Sequence, residues 1–122
     1  MTIENGNSNS AGGIGVNPAT NADGLILNIN NVEVSHCQAG ALGYNGGGIS
    51  IRSGNIYNCY IHDCTSPEGI GGIFTVFGPV TISNTTIAND TGQIVGALQT
   101  MATCCFLTAL FIKMWLLMEC KA

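Results

Sequence analysis

Positive charge is what this chain of 122 residues most lacks: Arg52, Lys113 and Lys121 are its only Lys or Arg residues, against seven Asp and Glu. With a formal net charge of −4, nothing in the chain can form a basic patch that neutralises phosphates, so nucleic-acid binding is excluded. Charged residues of either sign make up only 8% of the chain, too few for the acid–base clusters that polysaccharide-cleaving enzymes need. There are six cysteines but no Cys-x-x-Cys pair, which removes the usual zinc-ribbon spacing. Residues Met1 to Ser10 are polar and have neither the basic start nor the apolar core of a secretory signal.

Glycine is abundant, at 17 residues, and with asparagine it marks a repeat. Ile29-Asn30-Asn31-Val32-Glu33-Val34-Ser35-His36-Cys37, Ile56-Tyr57-Asn58-Cys59-Tyr60-Ile61-His62-Asp63-Cys64 and Ile82-Ser83-Asn84-Thr85-Thr86-Ile87-Ala88-Asn89-Asp90 align without a gap on the frame Ile-x-Asn-x-x-(Val/Ile). The offsets are 27 residues (31 to 58) and 26 residues (58 to 84). A near-constant period of this size signals a solenoid, whose units bury their apolar face by stacking. Gly12-Gly13-Ile14, Gly47-Gly48-Ile49 and Gly71-Gly72-Ile73 each precede one copy, and Gly92-Gln93-Ile94 reads as a degraded fourth. Such glycine pairs suit corners that need positive φ or close backbone approach. The apolar positions between them are β-branched, which favours strands.

The two apolar positions of each phrase are five residues apart, an odd offset, so strict alternation fails. A bend at the asparagine lets both point inward. Stacking at the ordinary strand spacing of about 4.8 Å predicts one internal stripe of Ile29, Ile56 and Ile82 and a second of Val34, Ile61 and Ile87. Asn31, Asn58 and Asn84 are predicted to form an amide ladder at a buried bend.

The run Gly46-Gly47-Gly48-Ile49-Ser50-Ile51, together with Gly78 to Thr91, resembles the right-handed parallel β-helix repeats of polymorphic outer-membrane proteins. The resemblance covers residues 12–95 and departs from that family where Val34, Ile61 and Ile87 replace its usual phenylalanine. It implies a pectate-lyase-like coil, export, and a place at a cell surface, in an outer membrane or in secretion. The same fold carries adhesins and polysaccharide-cleaving enzymes, so it does not by itself fix activity. Because that family is exported, the lack of a signal leads us to expect a true N-terminus elsewhere, through a truncated or fragmentary reading frame or through an internal start.

After Ala97 glycine and asparagine disappear, and Met101 to Met118 is almost wholly apolar. Four readings compete: a transmembrane helix with Lys113 toward one end, a helix capping the open solenoid, a coil whose pattern has decayed, and a non-native tail from a frameshift. The absence of turn residues predicts a helix over 98–122.

Few residues invite a chemical reading. Cys37 and Cys64 are equivalent in the repeat and are expected to stack as thiols, because parallel neighbours do not point their Cβ atoms at one another. His36 aligns with Asp63 and His62 with Ser35, so the histidines are expected to face opposite ways and not to share a metal. Asp63 and Asp90 lie out of register by one residue and read as polar residues of solvated turns. Thr81, Thr85 and Thr86 have no counterparts in earlier copies, which argues against an ice-binding array. Asn84-Thr85-Thr86 and Asn89-Asp90-Thr91 are N-glycosylation sequons, the first silent if its asparagine is in the ladder. The stretch Asn17 to Gly24 reads as a polar lateral loop.

These observations predict an all-β chain: a right-handed, single-stranded parallel β-helix of about three to four coils with a C-terminal apolar helix. The segments are a polar stretch 1–11, repeats over 12–97, and a helix over 98–122 serving as cap, membrane segment or non-native tail. The expected role is structural display or adhesion by a fragment of a surface or secreted protein. Its partners would be a host-surface protein or glycan at the lateral loops, neighbouring coils or chains, and a membrane through 98–118. No catalytic, metal or cofactor residue is assigned. The alternative is the remnant of a carbohydrate-active β-helix enzyme, a lyase or hydrolase, without its catalytic coils.

Overall fold

A computed structural model describes residues 1–9, 11–15, 26–40, 46–75, 80–94, 96, 98–100, 105–108, 111–113 and 118–120, those after 98 as backbone strands. The lateral loop expected at 17–24 and Cys104 lie outside the described residues. Each coil contains four short strands. The first has β1 (Thr2–Glu4), β2 (Asn7–Ser8), β3 (Ile14–Gly15) and β4 (Leu27–Asn30). The second has β5 (Glu33–Ser35), β6 (Gln38–Ala39), β7 (Ile49–Ile51) and β8 (Gly54–Tyr57). The third has β9 (Tyr60–His62), β10 (Thr65–Ser66), β11 (Ile73–Thr75) and β12 (Val80–Ser83). The fourth has β13 (Thr86–Ala88), β14 (Thr91–Gly92), β15 (Leu98–Thr100) and β16 (Cys105–Thr108), and a fifth begins with β17 (Phe111–Lys113) and β18 (Met118–Cys120).

Every strand pairs in parallel with its counterpart one coil away, which gives four sheets ordered β1-β5-β9-β13-β17, β2-β6-β10-β14, β3-β7-β11-β15-β18 and β4-β8-β12-β16. This all-β arrangement of stacked parallel strands is consistent with a parallel β-helix. The register places Ile29, Ile56 and Ile82 in one row and Val34, Ile61 and Ile87 in another, the two stripes expected from the phrase. Ile14, Ile49, Ile73 and Leu98 make a third. Ile49, Ile56, Ile61, Ile73, Ile82 and Ile87 are fully buried, each contributing about 1.5–3 kcal/mol by leaving water.

The bend at the asparagine is a single left-handed residue. Asn31, Asn58 and Asn84 have φ of 55°, 54° and 46°, and a second series, Asn5, His36, Asp63 and Asn89, has φ of 52–59°. Asn, Asp and His are the residue types that accept this conformation at least cost after glycine. The corners stay in the ladder: the backbone N–H of Asn58 donates to Ser83 O at 3.3 Å, and that of Asp63 to Ala88 O at 3.1 Å.

At the Gly-Gly-Ile corner the constraint is contact, not φ. A Cβ on Gly12 would overlap the carbonyl oxygen of Gly47, one on Gly47 that of Gly71, and one on Gly71 would stand 2.6 Å from that of Gly96. Each coil's backbone sits directly on the next here. The fourth copy of this element is therefore Gly96-Ala97-Leu98, and the assignment to Gly92-Gln93-Ile94 is corrected: Leu98 pairs with Ile73 and is fully buried, whereas Ile94 is 37% exposed.

The expected C-terminal helix is also corrected. The described parts of 98–122 are strands that continue three of the four sheets, so the decayed-coil reading holds. Leu98, Leu107 and Ile112 each lie 25 residues after Ile73, Ile82 and Ile87, with which they pair. Apolar residues at the repeat spacing, docked on an open strand edge that satisfies their backbone groups, outweigh the missing turn residues. Among the described residues no helix is long and apolar enough to cross a membrane.

Two substitutions test this packing. Ile61→Ala should cost about 2–5 kcal/mol, and Gly47→Ala more than about 1 kcal/mol although alanine restricts the unfolded chain, both read from urea melts.

Candidate functional site

The candidate site is the outer surface around the corner between β8 and β9 and its counterparts above and below. Alternation along β9 turns Ile61 inward and sends Tyr60 and His62 outward. The left-handed corner at Asp63 then resets the alternation, so Cys64 is buried while Asp63 stays partly exposed.

His62 is held between two carboxylates. Its Nδ1 lies 2.6 Å from Asp63 Oδ2 and its Nε2 lies 2.9 Å from Glu33 Oε1, on the coil before. A neutral imidazole donates from one nitrogen only, so this geometry fits the imidazolium. Burial disfavours the charge, but the hydrogen bonds to Asp63 and Glu33 outweigh it and raise the His62 pKa. The hydrogen bond from His62 lowers that of Glu33. Tyr60 stacks on the imidazole with ring centroids 4.0 Å apart, and the His36 ring meets it edge-on at 5.9 Å.

The expected register of His36 and His62 is correct, but the expectation that they face opposite ways is not. His36 occupies a left-handed corner, where strand alternation no longer applies, and both rings reach the outer surface. Asp63 and Asp90 are one residue out of register as expected, since Ala88 pairs with His62. Asp90, however, is no solvated turn residue. It stands at the inward position that Cys37 and Cys64 fill in earlier coils, 1% exposed, and its Oδ1 accepts the Cys64 backbone N–H at 2.7 Å. Burial raises its pKa to about 7, despite the opposing hydrogen bond from Cys64.

Cys37, Cys59 and Cys64 are free and buried, so Cys37 and Cys64 stack as thiols. Each thiol donates to the carbonyl two residues earlier, at 3.2 Å to Ser35 O, 3.2 Å to Tyr57 O and 3.4 Å to His62 O. Thr85 does the same with its hydroxyl to Ser83 O at 2.8 Å. These side chains occupy carbonyls beside the corners, which accounts for small donors at these positions. Burial holds the Cys64 thiol well above its ordinary pKa, which disfavours the thiolate.

The asparagine ladder is real but differs from expectation. Asn84 Nδ2 donates to Asn58 Oδ1, while Asn58 Nδ2 reaches Asn30 Oδ1 at 3.3 Å and not Asn31. The amides are exposed, because a left-handed corner turns its side chain outward. A parallel link joins Asn55 Nδ2 to Asn28 Oδ1 at 2.7 Å. Beside this ladder runs an open groove of about 510 Å³, lined by Asn31, Asn58 and Asn84, by Thr2, Glu33 and Tyr60, and by Met1, Val32 and Cys59.

Sequence reasoning passed over Glu33, Tyr57 and Tyr60. Glu33 pairs with Tyr60 across the coils, and that register alone brings it diagonally opposite His62. Among the described residues no group of three or more His, Cys, Asp or Glu side chains is arranged to hold a metal ion. No protein-family model matches the chain, and no curated protein or solved structure matches it either.

The acidic and imidazole groups set the direction of pH dependence. The raised His62 pKa contributes stability that is complete below 6.5 and is lost as pH rises through the folded value. The lowered Glu33 pKa contributes above 4.5 and is lost as pH falls through its folded value. The raised Asp90 pKa means that the fold prefers the neutral acid, so stability declines as pH rises from 3.8 toward about 7. Melting temperature should therefore fall as pH rises from about 5 to about 7, and further as His62 loses its proton. Asp90→Asn, which keeps the acceptor for Cys64, should raise stability near pH 8 by a few kcal/mol and flatten most of that slope. His62→Gln should remove a smaller part of it, with the loss of stability largest at mildly acidic pH.

Proposed function

We propose that the chain is a display module built as a right-handed parallel β-helix, exposed at a cell surface or secreted, which adheres through its lateral face and performs no catalysis. The observation that carries this reading is the character of the outer surface at the corner. Its amide side chains are neutral and joined coil to coil, Asn28 with Asn55 and Asn30 with Asn58 and Asn84. Such a surface is rigid and polar and offers hydrogen bonds without reactive groups. The resemblance of 46–51 and 78–91 to polymorphic outer-membrane repeats supports the handedness and the exported location.

The competing enzyme reading requires two carboxylates free to protonate a glycosidic oxygen and to activate water or attack the sugar. At this surface Glu33 and Asp63 are both engaged with His62. Asp90, with its raised pKa, faces the core and not a substrate.

The test combines turnover and adhesion. Incubated with neutral and acidic polysaccharides, the purified chain should release neither reducing nor unsaturated ends. Beads coated with the folded chain should be retained on cultured epithelial cells more than beads coated with heat-unfolded chain. Release of either kind of end would sink the display reading, and so would equal retention of the two bead sets.

A further inference from the structure

Building on the display reading, we propose that the groove beside the asparagine ladder binds an extended, uncharged β-linked glycan lying along the stack of coils. The groove runs from Thr2 on the first coil to Asn84 at the end of the third, parallel to the direction in which the coils repeat. Its hydrogen-bonding groups recur with the strand spacing of about 4.8 Å, a step close to that of one sugar in an extended chain.

The chemistry of the groove suits sugar hydroxyls. A primary amide has two N–H donors and an oxygen with two lone pairs. Within the ladder Asn58 donates once to Asn30 and accepts once from Asn84, which leaves one donor and one acceptor on the same group. That pairing matches two adjacent hydroxyls, one accepting and one donating. Tyr60, two residues past Asn58, lines the groove and is 41% exposed. One face of Tyr60 lies on the His62 ring, which fixes its orientation and leaves the other face free to stack on the C–H face of a pyranose.

Charge decides which glycan. Glu33 is the one charged side chain that lines the groove, and the chain carries a formal net charge of −4. The lining holds no lysine or arginine, and its one cation, the Met1 ammonium, already donates to Asn31 O, so uronate or sulfate groups would meet Glu33 and the net negative charge with little to offset them. A protein partner of ordinary affinity would need a cluster of apolar anchors at the centre of its interface, whereas most of the lining here is amide, hydroxyl or carboxylate, with Met1 as its exposed apolar residue.

Affinity electrophoresis of the whole chain through gels containing hydroxyethyl cellulose, a soluble neutral β-1,4-glucan, tests the proposal. Retardation should occur with this glucan and not with polygalacturonate, and Tyr60→Ala should weaken binding by about tenfold with the cooperative melt preserved. Thr65→Ala, at an exposed position of β10 in a different sheet from the groove, serves as a folded control and should bind nearly as the parent does. The inference is overturned by absence of retardation in a chain that still melts cooperatively, by unchanged retardation of the Tyr60→Ala variant, or by preference for polygalacturonate. Cleavage of the glucan during the run would overturn the display reading while leaving the groove in place. Cell adhesion without glucan binding would overturn the groove and leave display intact.

Discussion

Two left-handed residues in each of the first three coils carry the organisation of this molecule. A parallel stack of short strands can close on itself only if the chain changes direction sharply without leaving backbone groups unpaired in the interior. A single residue near φ +55° does this in one step. It bends the strand, keeps its own N–H in the ladder, and lets the inward positions on both sides of the bend remain inward. The stripes of Ile29, Ile56 and Ile82 and of Val34, Ile61 and Ile87 lie on the two sides of such a bend. Without it the odd spacing between the stripes would drive one of them to the surface. The hydrophobic core thus depends on residues that are themselves exposed.

The residue that follows each corner shows how tightly the interior is specified. From Val32 onward it is buried and must either pack as a small apolar group or occupy a neighbouring carbonyl. Cys59, Thr85, Cys37 and Cys64 do the second through thiol or hydroxyl. Asp90 is the exception. It brings a carboxyl into a place built for a thiol, accepts the backbone N–H of Cys64, and stays in the core by favouring its neutral form. Because burial is the first cause of its raised pKa, the loss of stability at higher pH arises in the packing of the coil and not at the outer surface. The His62 cluster acts in the same direction but from outside, where solvent screens its charges.

Much of this was legible in the sequence because a repeat exposes its own register. The phrase Ile-x-Asn-x-x-Ile fixed which residues stack, and the bend at its asparagine followed from an odd apolar spacing. The role of the asparagine was only half visible. Its recurrence suggested a buried amide ladder, whereas the dominant constraint is its backbone conformation, with the ladder formed outside. The C-terminal coil was hidden for the complementary reason. From Leu98 onward the apolar residues keep the period, but glycine and asparagine are absent, and an unpunctuated apolar run reads as a helix. The Glu33–His62–Asp63 cluster was invisible because its members come from different coils and from both sides of a corner, where neither spacing nor alternation indicates which side chains meet.

The same corner links fold to surface. A left-handed residue turns its side chain away from the core, so whatever the corner requires for conformation is displayed to solvent once per coil. Asparagine is favoured there for its tolerance of positive φ, and stacking converts that local preference into a row of amides. The flanking outward positions, Tyr57 before the corner and Tyr60 after it, are then fixed relative to the row by the strands on which they sit. His62 adds a brace beneath Tyr60, itself anchored by carboxylates from two coils. A rigid polar and aromatic surface is therefore a direct consequence of how the chain turns. Within that frame the choice of side chains on either side of each corner can vary without disturbing the buried stripes, which is the physical basis on which such a scaffold can carry recognition.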